Sequence, residues 1–182
     1  MNQGFKIKIS HQLQKFKPQR PRSWKEYHQQ QPEWVQSLTK HFTENSEVFP
    51  SFQYIQNHIP FIISPDGSKG DRRSGGSWII ALECGDHIFH GYNPNFGKIS
   101  AINSYRVEVY VFLAATLSLH LYSVYYKVLV HNKINALCDN QAYVNKLTYP
   151  LEDEYHQQGL HKNTEAEAFS IILQLLPSNF TI

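Results

Sequence analysis

Residues 59–68 read Ile-Pro-Phe-Ile-Ile-Ser-Pro-Asp-Gly-Ser, a short apolar run that breaks at a turn signal. The run predicts a first strand ending at Pro65-Asp66-Gly67. The next stretch, GSKGDRRSGG at 67–76, is a Gly-rich loop. Trp78 to Leu82 predicts a second strand and His87 to Tyr92 a third. The tight turn Glu83-Cys84-Gly85-Asp86 joins these two as a hairpin. After a loop over 93–103, a long helix starts near Ser104, a fitting N-cap residue, and runs to about Tyr126. Asn135 to Cys138 closes a fourth strand, with Asp139 directly after it. Asn140 to Leu147 reads as helical, 148–163 as irregular, and Thr164 to Leu176 as a last helix stopped by Pro177. Phe180 to Ile182 reads as the start of a further strand. A hairpin-linked antiparallel set, then a strand reached through a helical crossover, predicts an α/β fold with a mixed sheet.

Upstream, residues 1–25 are basic and carry Pro18 and Pro21, the pattern of a tether. Residues 23–48 hold one or two short helices, with Ser23 as a cap and Pro32 in a first turn. The expected division is a linker or connection segment over 1–58 and a folded domain over 59–182. A chain of 182 residues has room for one domain plus such an extension. With 41% hydrophobic and 14% aromatic residues, it is not a disordered chain. A net charge of +2 is too mild to identify a polyanion-binding protein by charge alone. Two cysteines, Cys84 and Cys138, exclude a disulfide scaffold and suggest a reducing, intracellular setting. The start of the chain has no apolar secretory core.

Val109 to Tyr126 carries no formal charge and is near the length of a membrane span. Its spacing favours a buried core helix instead. Thr116, His120, Ser123 and Lys127 recur at helical intervals as a polar stripe, beside an apolar one of Leu113, Leu117, Leu121 and Val124. No membrane association is expected.

Three carboxylates occupy element ends: Asp66 after the first strand, Glu108 near the start of the long helix, and Asp139 after the fourth strand. Such positions are where α/β sheets gather functional groups. Carboxylates brought together repel, and a hard divalent cation such as Mg²⁺ or Mn²⁺ relieves this. Three acidic residues at element ends are, by themselves, more often ordinary turn and cap residues. Cys84, His87 and His90 have metal-like spacing, but two histidines three apart on a regular strand face opposite sides. Trp78, Tyr105 and Tyr110 offer stacking surfaces for bases, although such aromatics are more often core. There is no P-loop and no nucleophile elbow.

The local sequences add order. Asp66-Gly67-Ser68, Gly75-Gly76-Ser77-Trp78, Ser104-Tyr105-Arg106-Val107-Glu108 and Cys138-Asp139-Asn140-Gln141 follow one another with matching elements between them. This set resembles the ribonuclease H family over about 59–182. More closely, it resembles the ribonuclease H-like domain that follows a reverse transcriptase in retroelement polyproteins. Ser23-Trp24 and Pro32-Glu33-Trp34 resemble the connecting segment before that domain.

The resemblance implies a sheet of three antiparallel strands plus a parallel fourth, with flanking helices. It implies that Asp66, Glu108 and Asp139 bind two Mg²⁺ ions, or Mn²⁺, that flank the scissile phosphate of the RNA strand in an RNA–DNA hybrid. Gly75, Gly76, Asn103, Ser104, Asn140 and Gln141 fall where the family approaches the nucleic-acid backbone or ribose, and a 2′-hydroxyl contact separates RNA from DNA. A reverse transcriptase domain in a longer polyprotein is an implied partner.

Three departures stand out. Pro65 removes a backbone donor beside Asp66. Val111 replaces a small residue of the family's central helix. The family's last strand, histidine loop and carboxylate-bearing helix are expected to be missing, which implies weak or no cleavage by the chain as it stands. A nucleic-acid-binding module and a remnant of a mobile element are the alternatives.

Overall fold

In the computed structural model, the residues described are 23–45, 55, 59–70, 74–93, 104–128, 130, 133–138, 166–176 and 180–181. The elements are α1 (Trp24–Gln29), α2 (Glu33–Thr39), β1 (Thr43–Glu44), β2 (Phe61–Lys69), β3 (Ser74–Leu82), β4 (His87–Asn93), α3 (Ser104–Tyr126), β5 (Ile134–Ala136), α4 (Ala166–Leu175) and β6 (Phe180–Thr181). Contacts divide the chain into two compact units, Met1–Ser37 and Leu38–Ile182. In the first, Ser23 caps α1 as its sequence suggests, its Oγ accepting from the Glu26 N–H at 3.2 Å.

The second unit holds one six-stranded sheet in the order β1-β4-β3-β2-β5-β6. β2, β3 and β4 are antiparallel, and β5 and β6 run parallel to β2. A mixed α/β sheet with flanking helices is the expected architecture, and one of its details differs from expectation. Thr43–Glu44, inside the segment 1–58 read as a linker, pairs with β4 as an edge strand. Phe180–Thr181, read as the start of a further strand, pairs with β5. Asn140 to Leu147, read as helical, lies outside the described residues.

The central strands are longer than their sequence suggests. Pairing of β2 with β3 continues from Phe61↔Leu82 to Lys69↔Ser74, through the stretch read as a Gly-rich loop. Pro65 therefore sits inside β2 rather than in a turn. Its tolerance follows from backbone alternation. The Phe61 N–H donates to the Lys133 carbonyl and the Ile63 carbonyl accepts from the Leu137 N–H, both at 2.9 Å. Odd-numbered residues of β2 thus address β5, so the N–H that Pro65 lacks is one that β3 never needed.

One face of the sheet carries Phe61, Ile63, Trp78, Ile80 and Leu82, all buried, and α3 packs on β2, β3 and β4. α4 packs against α3. By length and composition α3 is apolar enough to cross a membrane, but most of it is buried in this core. Enclosure on more than one side changes the two stripes. Thr116 and Ser123, expected on a polar face, are buried, whereas Val124, expected on the apolar one, is 47% exposed. The buried hydroxyls bond to the helix's own carbonyls: Thr116 Oγ1 donates to Phe112 and Leu113, and Ser123 Oγ to His120.

β4 also departs from regular alternation. A register shift opposite Ile80/Ala81 leaves Ile88 and Phe89 both buried and both His87 and His90 exposed. The two histidines therefore share a face, against expectation, because a bulge breaks the period of two. Among the described residues, no three His, Cys, Asp or Glu side chains gather into a metal-binding group.

Candidate active site

β5 pairs with β2 only at Phe61, Ile63 and the residue between them. Beyond Ile63 the next two backbone positions on the β5-facing edge of β2 are Pro65 and Gly67. Pro65 has no donor. The Gly67 N–H donates to Glu108 Oε1 at 2.9 Å. A side chain from the long helix thus takes the place that a strand would otherwise fill.

This contact needs the helix to approach the strand closely. A Cβ at residue 67 would lie 2.9 Å from the Glu108 nitrogen and 2.9 Å from Val107 Cγ1. Only glycine leaves room there. Glu108 itself is 4% exposed, the one buried carboxylate among the described residues. A buried charge of this kind requires hydrogen bonds from the protein or a bound cation. Asp66, one residue before Gly67, is exposed. The Gly67 nitrogen is two bonds from the Asp66 Cα, so Glu108 Oε1 lies within about 5 Å of that atom. The Asp66 backbone and Glu108 are therefore neighbours at the end of β2 that β5 does not pair.

Gly76 fits the same close packing. It pairs with Gly67 across the β2–β3 ladder. A Cβ there would collide with Val111 Cγ2 and lie 2.7 Å from the Asp66 carbonyl oxygen. Val111, which departs from the small residue of the family pattern, is fully buried because Gly76 opposes it. Gly75 is half-buried next to it and Ser104 is exposed at the start of α3. Trp78 belongs to the core. Tyr105 and Tyr110 are half-buried, with the Arg106 guanidinium 5.5 Å above the Tyr110 ring. Asp139, Asn103, Asn140 and Gln141 lie outside the described residues.

Sequence reasoning missed a row across the outer sheet face. Asp66 pairs with Ser77 and Ser77 with Tyr92, so three outward side chains line up on adjacent strands. Tyr92 is 52% exposed and stacks on His41, with ring centroids 4.2 Å apart and planes 13° apart. Alternation within β4 was the available signal, but the partner strand was not readable.

Compared with solved structures, the chain is similar to LC11 ribonuclease H1 in complex with an RNA/DNA hybrid, with a TM-score of 0.52 at 16% identity, covering 67% of this chain and 83% of that one. The fold is that of ribonuclease H. Other structures with this fold that resemble the chain are LC11 ribonuclease H1 from a compost metagenome (TM-score 0.49, 16% identity, 68% and 83% coverage) and the ribonuclease H1 of the halophilic archaeon Halobacterium salinarum NRC-1 (TM-score 0.47, 14% identity, 68% and 83% coverage). No protein-family model matches the chain, and no curated protein matches it in sequence.

Proposed function

We propose that the chain is a metal-dependent nuclease domain of ribonuclease H type, acting on the RNA strand of RNA–DNA hybrids. The observation that carries this reading is the Glu108–Gly67 hydrogen bond, which fastens a buried helix carboxylate to the backbone one residue after Asp66. The solved ribonuclease H1 with the same fold that holds an RNA/DNA hybrid supports the choice of substrate. So does the ordered set of motifs, including those of a retroelement domain.

Asp139 is the third member of the site in this reading. Leu137, two residues earlier, donates to the Ile63 carbonyl on the β5-facing edge of β2, the edge on which Pro65 and Gly67 come next. Asp66, Glu108 and Asp139 form a set of hard oxygen donors that fits Mg²⁺ or Mn²⁺. A divalent ion bound there would activate the attacking water and stabilise the leaving oxygen. The residues of the chain hold and orient. The Gly67 N–H fixes one Glu108 oxygen, which keeps the carboxylate from rotating away. Asp66, one residue before Gly67, would bring its exposed carboxylate to the same ion. Gly75, Gly76, Asn103, Ser104, Asn140 and Gln141 are the backbone and ribose contacts of this reading.

The test is cleavage of a labelled RNA–DNA hybrid with Mg²⁺ or Mn²⁺, beside single-stranded RNA, duplex RNA and duplex DNA. Cleavage confined to the RNA of the hybrid, and reduced about 10²–10³-fold or more in Asp66→Asn, is the expected result. Hybrid binding without metal-dependent cleavage would make the chain a binding module instead.

A further inference from the structure

The polar stripe of α3 has a use that the carboxylate edge does not absorb. A cavity of about 430 Å³ lies between the C-terminal half of α3, strands β2 and β5, and the end of α4. It sits at the opposite end of α3 from Glu108, since Lys127 is 19 positions further on, or about 28 Å along the axis. Its apolar wall includes Ile63, Leu119, Ile134 and Leu175. Its polar side is Thr116, His120, Ser123 and Lys127.

The polar groups are not equivalent. The Thr116 and Ser123 hydroxyl protons are committed to backbone carbonyls. The His120 ring and the Lys127 ammonium make no hydrogen bond or ion pair to any described residue, and none of the described residues lining the cavity is a carboxylate. Burial lowers the pKa of His120, so its imidazole is neutral and keeps one N–H donor. The cavity therefore joins an apolar interior to a donor and a cation, with Lys127 exposed at its mouth.

Backbone conformation singles out the same lysine. Lys127 follows the last turn of α3 with φ 57°, the one non-glycine residue with positive φ among the described residues. The Lys127 N–H donates to Val124 O at 3.2 Å and the Val128 N–H to Ser123 O at 2.9 Å. This is the Schellman ending, whose left-handed position usually holds glycine. A side chain there is disfavoured by its Cβ, and strain of this kind concentrates at functional positions. Glycine would end the helix equally well, but it would remove the ammonium from the cavity mouth.

We propose that this cavity binds a medium-chain monocarboxylate, with its alkyl chain against Ile63, Leu119, Ile134 and Leu175 and its carboxylate on Lys127 and the His120 N–H. The volume lies in the lower part of the range for small-ligand pockets, which suits a chain of roughly eight to ten carbons.

The probe is sodium decanoate below its micellar concentration, titrated into the full 182-residue chain and followed by amide chemical shifts in two-dimensional NMR. Decanol serves as the uncharged comparison. Lys127→Gly is the decisive variant, because glycine suits the left-handed backbone and keeps the fold intact. Saturable shifts at Leu119, Ser123 and Ile134 are expected. Binding should weaken about tenfold in Lys127→Gly and about tenfold for decanol, the scale of one hydrogen bond to a charged group. Absence of saturable shifts at those amides overturns the proposal. So does equal decanoate affinity in Lys127→Gly, or equal affinity for decanol, either of which would mean that no carboxylate is recognised.

Discussion

The edge of β2 that faces β3 is paired over nine residues, whereas the edge that faces β5 is paired over three. The long edge is scaffold: every backbone group meets a partner strand, and apolar side chains alternate toward α3. The short edge stops where Pro65 offers no donor, and the next donor, the Gly67 N–H, goes to Glu108. Regular pairing therefore builds the platform, and its interruption turns a backbone group into an anchor for an acidic side chain. Close packing of α3 over two facing glycines makes the exchange possible.

The largest stability effect is expected where scaffold and helix meet. Gly76→Ala places a methyl group against Val111 Cγ2 and the Asp66 carbonyl oxygen. Overpacking of this kind costs about 1–3 kcal/mol. Val111→Ala in the same chain should recover part of the loss, a positive coupling that a urea-denaturation double-mutant cycle reads directly. Additive effects would mean that Gly76 and Val111 do not share the space.

Glu108 comes next, and two substitutions separate anchoring from chemistry. Glu108→Ala removes the acceptor for the Gly67 N–H and should cost about 1–3 kcal/mol, the penalty of an unmatched buried donor. Glu108→Gln keeps an acceptor oxygen and removes a buried charge, so stability should hold within about 0.5 kcal/mol or rise. Both variants should lose metal-dependent cleavage. A glutamine variant as unstable as the alanine variant would show that the carboxylate's charge, rather than its hydrogen bond, holds the edge together.

The smallest effect is expected at Pro65. Its side of β2 is the short edge, so Pro65→Ala breaks no β3 pairing. The change should stay under about 1 kcal/mol, mainly through the freer unfolded chain. A loss well above that, in thermal or urea unfolding, would place Pro65 in the scaffold after all.

Most of the order of elements was legible in the sequence, because apolar alternation, turn residues and the long uncharged helix each act locally. Strand length was not. Pro65 and the Gly-rich 67–76 stretch carry the local signs of a break, and only pairing with β3 keeps them extended. Thr43–Glu44 is too short to show a period, and the bulge that turns His87 and His90 to one face is set by register with β3. At the site, the residue types Asp66 and Glu108 were readable from their motifs. The bond that joins their elements was not, since it spans 41 positions of sequence and depends on how closely α3 approaches Gly67. The cavity beside Lys127 was visible only as a polar stripe, and its apolar walls come from three other elements.

The most direct measurement of the account is paramagnetic broadening of backbone amides by Mn²⁺. Added in small amounts to the full chain, Mn²⁺ should first broaden Gly67, Ser68 and Glu108, whose amides lie at the proposed carboxylate cluster. The effect should be displaced by Mg²⁺ and abolished in the Asp66→Asn, Glu108→Gln double variant. Broadening that spares Gly67 and Glu108, or that persists unchanged in the double variant, would contradict a metal site at the interrupted edge of β2.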